Sequence, residues 1–259
     1  MVVMQSGTSA AIDPSRHGLR VLVTRPRAEA AELAEALATR GVATIIEPML
    51  DIRYRDEAPD LGGVQAVLCT SANGVRALAR LSGERALPLF AVGEATAARA
   101  RAEGFAEVYS AGGVVADLVR LVRRRLHPDS GRLLHVAGSV AAGDLAGELR
   151  VRGFAVGRSV LYEARPVAAL TASTVRALSA GSVDFALFFS PRTAAIFARL
   201  AEQAGIAEAM RFVTALSISA AADAALASLP FRAQHFADRP DQPALLAELD
   251  RLIRERRRA

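Results

Sequence analysis

Lysine and tryptophan are absent from the 259 residues, cysteine occurs once, and histidine occurs four times. Each scarcity excludes something. A single cysteine, Cys69, allows no disulfide framework within the chain and no multi-cysteine zinc site. His17, His127, His135 and His235 are scattered and lack metal-type pairing, so no metal is expected. Neither G-x-G-x-x-G nor a P-loop occurs, so no nucleotide cofactor has motif support. No Ser-His-Asp order can be argued. Aromatics make up 5% of the chain, with no interleaving of basic and aromatic residues of the kind that grips nucleic acid. No apolar run approaches the ~18 residues of a membrane span.

What is present is a core-forming composition: 52% apolar, resting on Ala, Val, Leu and Ile. All 32 basic residues are arginine, which with the abundant alanine reads first as GC-rich codon usage. The net charge of +5 and pI near 10.4 suit an anionic partner. Part of that excess sits in "RERRR", residues 254–258, which reads as a solvated helix end. The opening "MVVMQSGTSAAIDPSRHG", residues 1–18, lacks a basic n-region and a long apolar core. It is expected to be a disordered leader, not a signal peptide, on a soluble, cytoplasmic chain.

Along the chain, short β-branched runs alternate with helical patterns. "RVLVT" predicts a strand, "AEAAELAEALATRG" a helix closed by Gly41, and "ATIIEP" a second strand. "QAVLCT", "LPLFAV" and "FAEVYS" predict further strands, each followed by a helix. The pattern then restarts. "LCTSANGVRALARL" at 68–81 returns as "LFFSPRTAAIFARL" at 187–200, and "RLLHVAGSVAAGDLAGELRVRGFAV" lies on residues 20–44 with Gly153 over Gly41. "VTALSISAAADAAL" lies on residues 90–100 and "FRAQHFADRPDQPALLAELDRLIRERR" on 105–125, and four such matches in one order mark a duplicated unit. Alternating strands and helices predict parallel sheets covered on both faces, and two sheets, since about ten strands is near the limit for one. "MLDIRYR" and "VLYEARP" sit at equivalent places in the repeat and are expected to pair as a two-strand linker.

Open parallel sheets bind ligands past the carboxyl ends of their strands, at helix N-termini. The residues there are Thr24-Arg25-Pro26, Thr70-Ser71-Ala72-Asn73-Gly74, Gly93-Glu94-Ala95-Thr96, Ala137-Gly138-Ser139, Ser190-Pro191-Arg192-Thr193, and Ser217 and Ser219. Hydroxyls, small residues and free backbone N–H groups suit carboxylates or phosphates. Each Ser, Thr or Asn taken alone is first of all a helix cap, though a cap also lines an anion site. Tyr162, one of three tyrosines, is either a packing residue on the linker or a donor facing an interdomain cleft.

"VLVTRPRAEAAELAEALATRG", "TSANGV", "AVGEATAARARAEGF", "VLYEARP" and "FFSPRTAAIFARL", in this order, resemble the uroporphyrinogen-III synthase family across about residues 19–252. The resemblance implies two related α/β domains, each a flavodoxin-like parallel sheet flanked by helices, joined by a two-strand linker. One domain would be discontinuous, 19–50 with 166–259; the other would be 56–160, with linker strands 51–55 and 161–165. It implies a lyase that dehydrates and cyclises hydroxymethylbilane, a linear tetrapyrrole with eight carboxylates, inverting the terminal ring, with no cofactor. The chain is expected to be a monomer that touches the preceding pathway enzyme transiently. Tyr162 matches the family's linker tyrosine and is the candidate catalytic residue. Thr24, Arg25, Ser71, Asn73, Gly74, Thr96, Ser190, Arg192 and Ser219 are the candidate substrate contacts, and Ser71, Asn73, Gly74, Thr96 and Ser190 are expected to share one cleft. In the second half the family's V-G-x-x-T-A becomes "LSISAAADAA", with Ser219 for the glycine and Ala222 for the threonine. The competing expectations are a non-catalytic anion sensor of the same fold and a flavodoxin-like electron carrier. The latter lacks the aromatics to sandwich a flavin.

Overall fold

The computed structural model describes residues 18–140 and 143–258. The expected leader therefore lies outside the described residues, apart from Gly18. In chain order the elements are β1 Arg20–Val23, α1 Arg27–Ala38, β2 Ala43–Ile46, β3 Leu50–Tyr54, β4 Val64–Cys69, α2 Ala72–Leu81, β5 Leu89–Ala91, α3 Glu94–Ala102, β6 Val108–Ser110 and α4 Val115–Arg125. They continue with β7 Arg132–Gly138, α5 Leu145–Arg150, β8 Val156–Pro166, α6 Ala172–Ser179, β9 Phe185–Phe188, α7 Pro191–Gln203, β10 Thr214–Ser217, α8 Ala220–Ala224, β11 Ala233–Phe236 and α9 Gln242–Arg256.

The chain forms two compact units. One takes the described residues up to Asp51 and those from Pro166 onward; the other is Ile52–Arg165. The first holds a sheet ordered β11-β10-β9-β1-β2, parallel at every neighbouring pair. The second sheet is ordered β3-β8-β7-β4-β5-β6, parallel from β8 to β6. β3 runs antiparallel to β8: Arg55 N–H donates to Leu161 O and Val167 N–H to Met49 O, so numbers rise on one strand as they fall on the other.

The central strands of each sheet are buried on both faces, which is why they read as near-continuous apolar runs. Side chains alternate between faces. In the first unit Val21 and Val23 pack with Leu33 and Leu37 of α1 and Leu245 and Leu249 of α9, while Leu22 turns to Phe188 of β9 and Phe197 of α7. In the second, Val67 and Cys69 meet Val75 and Leu78 of α2, while Ala66 and Leu68 meet Leu118 of α4 and Leu149 of α5.

The repeat is kept down to strand register. Val21 pairs with Thr44 and Leu133 with Val156; each member of the second pair lies 112 positions after its counterpart (133 − 21, 156 − 44). Val21 pairs with Phe185, and Leu133 with Ala66, which lies 119 positions before Phe185 (185 − 66). Thus β7 and β8 stand for β1 and β2, and β4, β5 and β6 for β9, β10 and β11. With that exchange the five parallel strands of both sheets have one spatial order. Gly41 and Gly153, which coincide in the repeat, have φ of 68° and 85°, the left-handed conformation that ends a helix and favours glycine.

One element differs from its sequence expectation. "GFAV" and "VLYEARP" predict a strand and a separate linker, whereas a single strand, β8, runs through both. Its pairing with β7 slips between Ala137 and Gly138: Ala137 faces Val160, and Gly138 faces Tyr162. The extra residue is a β-bulge.

Candidate functional site

In a sheet with this strand order the ligand crevice forms where successive connections leave in opposite directions. That switch point falls between β1 and β9 in the first unit and between β7 and β4 in the second.

In the second unit, β4 ends at Cys69, whose thiol burial pushes up to about 12; it is an inert part of the core. The chain then turns through Ser71 into α2. Ser71 has an extended backbone and caps the helix, its Oγ accepting from the Gly74 N–H at 3.2 Å. Across the switch point stands Tyr162, half-buried. Without the bulge it would share a face with Val156, which packs toward α4 and α5. The bulge turns it, with Leu161, to the α2 and α3 side. Its ring lies over Gly138, where a Cβ would come within 2.8 Å of the ring. Its hydroxyl lies 2.8 Å from Ser71 Oγ. Ser71, Gly74 and Tyr162 are thus brought together. Asn73, one residue into α2, accepts from the Arg76 guanidinium at 3.5 Å. Thr96 is buried in the first turn of α3, beyond the neighbouring strand β5.

In the first unit, Thr24 is fully buried and its hydroxyl donates to the Leu187 carbonyl at 2.7 Å. The side chain ties β1 to β9, so what Thr24 offers a ligand is backbone. Arg25 is different. Its guanidinium donates to Gln242 Oε1 at 2.7 Å and Glu29 Oε2 at 3.4 Å and lies 4.5 Å above the Phe189 ring, a cation–π placement. Ser190 caps α7, accepting from Thr193 N–H at 3.1 Å and bonded to the Thr193 hydroxyl at 2.9 Å. Arg192 is exposed on the first turn of α7. Ser219 caps the short α8 through Ala222 N–H at 3.3 Å.

The roles of four supporting residues escape sequence reasoning. Gly138 was visible only as a small residue at a strand end. Phe189, Glu29 and Gln242 become partners of Arg25 only in three dimensions, Gln242 from 217 positions away. Among the described residues no group of three or more His, Cys, Asp or Glu side chains is arranged to hold a metal, and no helix is long and apolar enough to cross a membrane.

A family model described as uroporphyrinogen-III synthase HemD matches residues 31–247. No curated protein matches the chain. Among solved structures, the uroporphyrinogen-III synthetase of Helicobacter pylori is similar with a TM-score of 0.60 at 19% identity, over 90% of this chain and 99% of that one. A mutant uroporphyrinogen III synthase from the extremely thermophilic bacterium Thermus thermophilus gives 0.51 at 20% identity, over 92% and 99%. Those likenesses show a shared two-sheet α/β fold. With a family match that spans most of its length, the chain belongs to the uroporphyrinogen-III synthase family, cyclising lyases of tetrapyrrole (haem) biosynthesis.

Proposed function

We propose that the chain converts hydroxymethylbilane to uroporphyrinogen III, with Tyr162 as the acid that releases the leaving hydroxyl. The observation that carries this is the Tyr162 hydroxyl, held 2.8 Å from Ser71 Oγ at the N-terminus of α2, in a sheet's switch-point crevice. The terminal C–O bond of the substrate breaks, and the hydroxyl departs as water with the phenol's proton. The electron-rich pyrrole stabilises the cation that remains. The cationic methylene bonds the α-carbon of the last ring that already carries the bridge, the old bridge bond breaks, the freed bridge carbon bonds the ring's other α-carbon, and the proton lost from that carbon restores the phenol. One water leaves per turnover, and neither a metal nor an organic cofactor is called on.

Because such a substrate ionises readily, the protein's main work is positioning, the choice of inverted over direct closure. Each unit has groups for the eight carboxylates. The first offers the anchored Arg25, the exposed Arg192, and the helix starts at Ser190 and Ser219. The second offers the α2 start with Asn73 and Gly74, and the α3 start with Thr96. Charge-assisted bonds from Arg25 and Arg192 and backbone N–H groups at helix ends are the interactions expected. The chain acts as a monomer in the cytoplasm and receives its unstable substrate through brief contact with the enzyme that makes it. The test is to supply hydroxymethylbilane and resolve the product isomers. The ring-inverted isomer, formed faster than spontaneous closure, is expected; the direct-closure isomer alone, at the spontaneous rate, would overturn it.

A further inference from the structure

We propose that Ser71 and Gly138 act in the reaction through Tyr162: they are positioning residues for the phenol, and Ser71 is not a carboxylate contact. This rests on the acid role of Tyr162. The Ser71 hydroxyl has one hydrogen and two lone pairs. One lone pair takes the Gly74 N–H, and Tyr162 Oη is the near neighbour at 2.8 Å. With Ser71 as donor to the phenol oxygen, the bond strengthens as that oxygen gains negative charge, which favours proton release. The positive end of the ten-residue helix α2 acts in the same sense. Gly138 sets the ring. A Cβ there would lie 2.8 Å from Cζ and 3.1 Å from Oη, so any side chain pushes the hydroxyl off Ser71. The bulge at Leu161 completes the device by turning Tyr162 onto this face.

The arrangement belongs to the second unit alone. The repeat offset of 112 positions puts Pro26 at the place of Gly138 (138 − 112), and the residues around the place of Tyr162, Met49, Leu50 and Asp51, include no phenol. Leu50 packs against the apolar cluster of its own unit. The duplicated frame therefore has an equivalent position without the chemistry, as expected if Gly138 and the bulge serve Tyr162 and not the fold.

The experiment is a double-mutant cycle in the full chain with hydroxymethylbilane, measuring kcat and KM. Ser71→Ala is expected to lower kcat about fivefold, the size of one lost hydrogen bond, with KM unchanged, and Ser71→Thr to restore it. In a Tyr162→Phe background neither Ser71→Ala nor Gly138→Ala should slow turnover further. Gly138→Ala leaves the α2 cap untouched, so it answers the case in which Ser71→Ala folds poorly. A Ser71→Ala effect that falls on KM, or that multiplies in full with Tyr162→Phe, overturns the positioning role while leaving the acid intact. Wild-type turnover by Tyr162→Phe removes the acid itself, and the positioning role with it.

Discussion

The two switch points share strand order and register but not chemistry. In the first unit the crevice edge holds a guanidinium fixed from three sides, by Gln242, Glu29 and the face of Phe189. In the second it holds a phenol and a serine hydroxyl, with a glycine beneath the ring. A duplicated frame needs only matched strands and helix starts to fold; the residues at the strand ends are free to diverge. On the proposed roles, one copy grips charge and the other moves a proton. Variants on either side of the repeat should therefore separate binding from rate.

The largest expected effect comes from a position where one copy carries a titratable group and the other does not. His135 is 5% exposed, neither ring nitrogen has a hydrogen-bond partner, and burial, then the Arg158 charge on the paired strand, hold its pKa down to about 4. The position 112 residues earlier is Val23, in the apolar core. Above its ordinary value of 6.5 the imidazole is neutral whether folded or unfolded. As pH falls toward 4 the unfolded chain takes up a proton that the folded one refuses, so folding weakens through that window, by about 3 kcal/mol when complete. Urea unfolding with amide exchange read separately on each unit should show the second unit losing this stability between pH 7 and pH 4. His135→Val should abolish the loss. An equal loss in wild type and variant would show that His135 is not responsible.

The next effect is on substrate affinity. Arg25→Ala removes the anchored cation of the first unit, and KM should rise about 10- to 100-fold, the range for hydrogen bonds to charged groups, with kcat changed little. A fall in kcat at constant KM would place Arg25 in the chemistry and erase the division between the units.

Much of the fold was open to sequence reasoning, for physical reasons. Strands buried on both faces show as apolar runs such as "VQAVLC", and helix starts show as Ser with a small turn, as at Ser71 and Ser190. The two glycines that close α1 and α5 could be aligned because only a left-handed turn asks for them. What stayed hidden depends on partners distant in sequence. The bulge that turns Tyr162 is a property of the pairing of β7 with β8, and nothing in "VLYEARP" announces it. The Thr24 hydroxyl could not be known to meet Leu187, nor Arg25 to meet Gln242, before the sheet was assembled. His135 looked like one scattered histidine among four, because its place in the middle of the sheet, between β4 and β8, is set by strand pairing.

The smallest effect tests that assignment of Thr24. Thr24→Val keeps the shape and loses the bond to Leu187, so stability should fall by about 1 kcal/mol with kcat and KM unchanged. A raised KM would return its hydroxyl to the substrate contacts.

The most direct measurement is single-turnover conversion of hydroxymethylbilane by wild type and Tyr162→Phe, with product isomers resolved. General acid assistance is commonly worth about 10²–10⁴-fold, and a substrate that ionises unaided shrinks it, so a slowing of about tenfold is expected. The inverted isomer should still predominate, and KM from steady-state turnover should hold, because the proposed carboxylate contacts are untouched. Wild-type rate in a folded Tyr162→Phe chain would contradict the account and leave Tyr162 as a packing residue on β8.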